Sequence, residues 1–327
     1  MNAISLSTKS LLLRYARVRE LESRPGRALR FCVRAWVRPE MHRQWFAMLD
    51  RPELRGAVAY SPRMCERVQR DYISTQFSPA QRSLLLRKHF ELVCALPAAV
   101  REAVYSPAGY EIARFVVADI EHVLKLQHVP LNAREGDLGL VWECSLGRVA
   151  TAAFALANSR RGVRVLLVGG LQGGRGDAMV AMYRTLTRSM YGLRPMSALV
   201  QFLQLMAQAL AADEVLGVTS TAHIRFKPGK TLLDYDQLWQ EHGGSPHVLG
   251  LLRVPAAPAK RDLAEVASSK RSMYRKRYAL LDEVAVAMGA ALVWSSALPP
   301  PRVEQSATRV SDDVGMLDAV HAGSGLI

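Results

Sequence analysis

At 327 residues, half of them hydrophobic, the chain can bury one large core with an appendage, which excludes a wholly disordered protein. The 43 basic against 29 acidic side chains leave a net charge of +14. The longest nearly apolar run, Ala285 to Trp294, is about half of the roughly 20 residues that a membrane-spanning helix needs, so no transmembrane segment is expected.

The apolar run Leu11 to Leu13 is too short for the core of a signal peptide, and arginines follow it at once. Cys32, Cys65, Cys94 and Cys144 share no metal-binding or redox spacing, so the expected setting is intracellular, with four reduced thiols and no metal. Residues 1–105 carry a net +10 and residues 260–278 a net +5, while the rest nearly cancels. Either these two stretches face phosphate, on nucleic acid or on an anionic membrane surface, or arginine simply replaces lysine on solvated faces.

In chain order, residues 1–105 read as a basic helical layer. Leu11, Leu12, Tyr15, Val18 and Leu21 recur at helical spacing, and Ser61-Pro62 and Ser78-Pro79 have the order of a cap followed by a first turn. From Tyr110 the pattern turns β-rich: YEIARFVVA, LGLVWEC, RVATAAFALAN and VRVLLVGGLQG predict an antiparallel meander with the last strand central. Helices follow over 177–190 and 196–211, strands over 215–220 and 248–255, and a long helix over 261–288, with ALVWSS as a final strand. The fold class expected is α/β (α+β), with a mixed, largely antiparallel sheet. The expected divisions are a helical region 1–105, a mixed core 106–298 and a flexible tail 299–327.

Several segments carry chemistry. The glycines around Gln172, Gly173 and Gly174 form either an anion-facing turn or a plain exit for a central strand; they match neither the Walker nor the dinucleotide fingerprint. Arg194 precedes Pro195 at a predicted helix start, a pairing that favours an anion. His223, Asp236 and Glu241 are candidate general bases, crowded with Tyr235 and Trp239, although acids so placed can equally serve arginines. No nucleophile-elbow sequence surrounds Ser220 and His223. On the last long helix, Lys270, Arg271, Arg275 and Arg277 lie among Tyr274 and Tyr278, and we expect Asp236 or Glu241 to pair with one of these cations.

LVGGLQG, GLRP, GVTSTAHI, YDQLWQEHGG and KRSMYRKRY, in this order, resemble the VirK/YbjX family of Gram-negative bacteria over roughly residues 10–295. The resemblance implies a role in envelope integrity, virulence or resistance to antimicrobial peptides, and it brings no settled catalytic mechanism. The meander, glycine turn and following helix are also similar to the core of the GNAT acyltransferases, where the turn amides and helix N-terminus hold the pyrophosphate of coenzyme A. That similarity implies acyl-CoA or acyl carrier protein as donor, held by Gln172, Gly173, Gly174 and Arg194. The alternative is a non-catalytic adaptor that binds an anionic phospholipid surface or an envelope-biogenesis protein. Both readings imply a cytoplasmic protein, peripheral at the inner membrane. Nucleic acid is not expected, since no recognition motif accompanies the charge.

Overall fold

The computed structural model describes residues 6–16, 25–159, 162–228 and 233–300. The tail expected from residue 299 lies outside them beyond residue 300.

The first third is helical: α1 (Thr8–Ala16), α2 (Pro25–Val37), α3 (Pro39–Leu49), α4 (Arg55–Tyr60), α5 (Pro79–Cys94) and α6 (Ala98–Val104). Ser78 opens α5 with a capping box: its hydroxyl accepts the Gln81 N–H, the Gln81 side chain accepts the Ser78 N–H, and Pro79 holds the first turn. Ser61 makes no such side-chain cap. The segment it precedes, Pro62–Gln69, is a 3-10 helix in which the Trp45 indole N–H takes the Met64 carbonyl at 3.0 Å.

Among the described residues, eight strands form one mixed, mostly antiparallel sheet in the order β1-β2-β3-β4-β5-β6-β8-β7. They are β1 (Tyr110–Val117), β2 (Ile120–His128), β3 (Leu138–Cys144), β4 (Gly147–Asn158), β5 (Arg164–Gly173), β6 (Glu214–Val218), β7 (Ser245–His247) and β8 (Leu251–Val254). β1 to β5 are an antiparallel meander, with β2 an addition to the strands read from sequence. β5 and β6 pair in parallel, joined through α7 (Asp177–Ser189) and α8 (Pro195–Ala209). The buried α8 packs on the sheet, as its apolar residues require.

α9 (Tyr235–Glu241) packs on β6 and β8, whereas α10 (Ser268–Ala291) packs on α8 and β1. The expected strand ALVWSS does not form: α10 runs through Ala291 and a 3-10 turn, Val293–Ala297, follows. There Ser295 donates to the Ala209 carbonyl at 2.7 Å, closing the end of α8 instead of extending the sheet. Among the described residues, no helix is long and apolar enough to cross a membrane.

Candidate functional site

β5 and β6 run together only from Val165/Glu214 to Val168/Gly217. β5 then bulges at Gly169, where its register on β4 passes from Val168/Phe154 to Gly170/Ala153, and continues to Gly173 paired with β4 alone. The two strands part, and a cleft of about 600 Å³ opens along the end of β5, lined across from it by residues that follow β6.

Tyr235, the first residue of α9, closes part of the exposed β5 edge. Its hydroxyl accepts the Leu171 N–H at 3.0 Å and donates to the Leu171 carbonyl at 3.2 Å. Strand groups repeat every two residues, so the N–H and C=O of Gly173 point the same way, into the cleft that Gly173 lines. α9 is fixed by its own acids: Asp234 accepts the Gln237 N–H, and Asp236 accepts the Ser220 N–H. The Trp239 indole donates to the Val218 carbonyl at 2.9 Å and lies where a Cβ on Gly217 would come within 2.3 Å of its ring. The YDQLW string is therefore the anchor that brings Tyr235 to the cleft.

The cleft's carboxylate is Glu135, whose side chain is only 1% exposed. Gln172 donates to its Oε2 at 3.0 Å. The Arg225 guanidinium lies 2.8 Å from Oε1 without the alignment of a hydrogen bond, and His223 Nε2 is 3.9 Å from the same oxygen. Burial raises the Glu135 pKa above the ordinary carboxylate value, with the Arg225 charge opposing. Burial, helped by Arg225, pushes His223 down to about 4, so its ring is neutral near pH 7. His223 Nδ1 accepts the Arg225 backbone N–H at 3.3 Å, which assigns the ring hydrogen to Nε2, toward Glu135. The ring stacks on Tyr235 at 5.0 Å.

Three glycines make room for this loop. A Cβ on Gly136 would sit 2.2 Å from the Phe154 backbone, one on Gly169 would sit 2.1 Å from the Glu135 carbonyl oxygen, and one on Gly170 would sit 2.2 Å from Glu135 Oε2. Gly169→Ala is accordingly expected to destabilise by about 1–3 kcal/mol, measured by urea unfolding, because backbone must move to admit the methyl. An unchanged midpoint would mean that the loop is not wedged against β5.

The helical region supplies the clamp. Ile73 N–H donates to the Arg134 carbonyl at 2.7 Å, and Thr75 N–H donates to the Ala222 carbonyl at 2.8 Å. Ser74 bridges His223 in β fashion. One bent stretch, 72–75, with Ile73 at φ 61, thus holds the Glu135 loop and the His223 loop side by side.

Of the residues expected at a site, Gln172, Gly173, Gly174, His223 and Tyr235 line this cleft. Arg194 does not; it is the exposed N-cap of α8. Glu241 is exposed at the end of α9 and accepts from Gln237 at 3.1 Å. Among the described residues neither Asp236 nor Glu241 forms an ion pair with Lys270, Arg271, Arg275 or Arg277, because α9 and α10 pack on different elements. The cations find other partners. Arg271 donates to the Val266 and Ala264 carbonyls, and Arg277 donates to the Tyr191 carbonyl and lies over Tyr274. Tyr278 accepts the Arg261 N–H, and Lys270 and Arg275 are exposed. Glu135 was missed; its signal in AREGDLG is an acid placed between glycine-flanked strands, with a second acid two residues on.

The family described as "Protein of unknown function (DUF535)" matches residues 21–290. The chain is 29% identical over 297 residues to "Uncharacterized protein YbjX" of Escherichia coli (strain K12), covering 86% of this chain and 89% of that protein. It is 32% identical over 142 residues to an "Uncharacterized protein" of Haemophilus influenzae, covering 42% of this chain and 47% of that one. No solved structure matches significantly.

Proposed function

The chain belongs to the DUF535 family, the VirK/YbjX family of the motifs above, and we propose that its cleft performs acyl transfer to an envelope component or protein at the cytoplasmic face of the inner membrane. The observation that carries this reading is the parting of β5 from β6 beside a buried carboxylate that lies against Gly170 of β5. A parallel pair that splays leaves one strand's edge free to hold an extended donor through main-chain hydrogen bonds. Gly173 offers that edge, and Arg175, Arg225 and Lys227 line the same cleft, in keeping with the phosphates of acyl-CoA or of an acyl carrier protein's prosthetic arm.

The donor supplies a thioester carbonyl. Glu135 takes the proton of the acceptor's N–H or O–H as that nitrogen or oxygen bonds to the carbonyl carbon, and returns it to the departing sulfur, which leaves as a thiol. A raised pKa suits both steps. His223, neutral and with Nδ1 already engaged, orients Glu135 and is not the base. Envelope integrity, virulence or resistance to antimicrobial peptides would then depend on the product. In a non-catalytic adaptor that uses a surface, Glu135 would serve only to tie Gln172 to Arg225.

The test is donor-dependent. Acyl-CoAs or acyl carrier protein should raise the melting temperature of the wild type and of Glu135→Gln alike, while the variant transfers roughly 100-fold more slowly. Wild-type transfer should rise with pH through the raised Glu135 pKa, and the variant should lose that limb. Wild-type turnover in Glu135→Gln, or no shift with any donor, would sink the reading.

A further inference from the structure

α2 presents three faces. Ala28, Phe31, Cys32 and Ala35 turn toward the core. Leu29, Val33, Trp36 and Val37 recur at one helical face and stand in solvent, 63%, 44%, 46% and 70% exposed. At about 100° per residue, Arg27, Arg30 and Arg34 fall between those two faces, side by side along the helix. With Arg70 they surround a small cleft of about 230 Å³ in which, among the described residues, Glu66 is the sole carboxylate lining it. α1 packs against α2, and its Leu13 is also 62% exposed. The Trp36 indole is held in place by donating to the Leu6 carbonyl at 3.0 Å.

Large apolar side chains aligned on one exposed helix face need a cover. We infer that α2 docks the protein on an anionic lipid bilayer, with Leu29, Val33, Trp36 and Val37 entering the acyl boundary and Arg30 and Arg34 meeting headgroup phosphates. Charge complementarity selects this occupant. An apolar row flanked lengthwise by a cationic row matches the layering of a bilayer surface, where hydrocarbon gives way to phosphate within one helix diameter. A second copy of the chain would set the same arginine row against itself. The net +10 of residues 1–105 adds long-range attraction to the same surface. The inference is independent of the reaction at the Glu135 cleft, which lies on other elements.

Flotation of the full chain with phosphatidylglycerol/phosphatidylcholine vesicles, against phosphatidylcholine vesicles alone, tests it. Binding should require the anionic lipid and weaken with salt. Arg30→Gln with Arg34→Gln should lower the partition coefficient about 25-fold, since each arginine near such a surface contributes about fivefold. Leu29→Ser with Val33→Ser should lower it by roughly tenfold or more, with the melting temperature unchanged because both side chains are exposed. Glu135→Gln should bind as the wild type does, which separates this inference from the catalytic one. Absence of binding to anionic vesicles, or binding that survives both double substitutions, overturns it. So does sedimentation showing a dimer that Leu29→Ser with Val33→Ser dissolves.

Discussion

Asp137→Ala is expected to destabilise the protein by about 3–5 kcal/mol. Asp137 is fully buried, and its Oδ1 accepts from Arg67, itself only 5% exposed, at 2.5 Å. Tyr72 donates to Oδ2 at 3.2 Å, and Arg67 also reaches the Ala133 carbonyl. Removing the carboxylate strands the guanidinium in a site closed to water, and that desolvated, uncompensated charge is the source of the cost. The two ends of the pair belong to different regions: Arg67 to the helical third, Asp137 to the start of β3, two residues beyond Glu135. The pair therefore also fixes the loop that carries the cleft's carboxylate. The double substitution Arg67→Met, Asp137→Asn should recover part of the stability, because it removes both charges, roughly keeps the volume and leaves an acceptor for Tyr72. Urea unfolding checks both. A single variant that costs less than about 1 kcal/mol, the value of an exposed pair, would show that water reaches Arg67.

Much of the architecture was legible because local signals agree with the tertiary outcome. The Ser78 cap followed by Pro79 and Gln81 is a complete local instruction, and β5 is apolar enough to be central in any sheet. β2 was hidden for two reasons. Its buried positions include His122, Gln127 and His128, which break an apolar alternation, and its hairpin turns on Ala118 and Asp119, both at positive φ, without the asparagine or glycine that usually marks such a turn. The cleft was half legible. Glycines and aromatics around β5 and α9 stand out in sequence, but Glu135 acquires its role from Gly169, Gly170 and stretch 72–75, contacts between segments far apart in the chain. The expected pairing of Asp236 or Glu241 with the α10 cations assumed that arginines need carboxylates; Arg271 and Arg277 use main-chain carbonyls at element ends.

The protein should lose stability steeply in mild acid, below about pH 6.5. His122, His128 and His223 are all buried, and burial holds each at about 4. Each has one ring nitrogen engaged and the other without a hydrogen bond. His128 Nδ1 donates to the Asp137 carbonyl at 2.7 Å, so a second proton would go to Nε2, which has no acceptor. His122 Nδ1 accepts from the Trp142 indole at 3.2 Å, and protonation there would break that bond. His223 would likewise lose its bond from the Arg225 N–H. A folded pKa below the unfolded value of about 6.5 contributes stability that is complete above that pH and is lost as pH falls toward the folded pKa. One such histidine changes stability by about 1.4 kcal/mol per pH unit, and three change it by about 4. Glu135 works in the opposite direction, since its raised pKa favours the fold as it protonates, and it offsets at most one histidine's share. From pH 6.5 to 4 the remaining loss comes to about 7 kcal/mol, a large share of a typical total of about 5–15 kcal/mol. His122→Gln keeps an acceptor for Trp142 and cannot ionise, so it should reduce the slope of unfolding free energy between pH 6.5 and 4.5 by about 1.4 kcal/mol per unit. A wild-type stability that stays flat across that interval would mean that these histidines are protonated inside the fold.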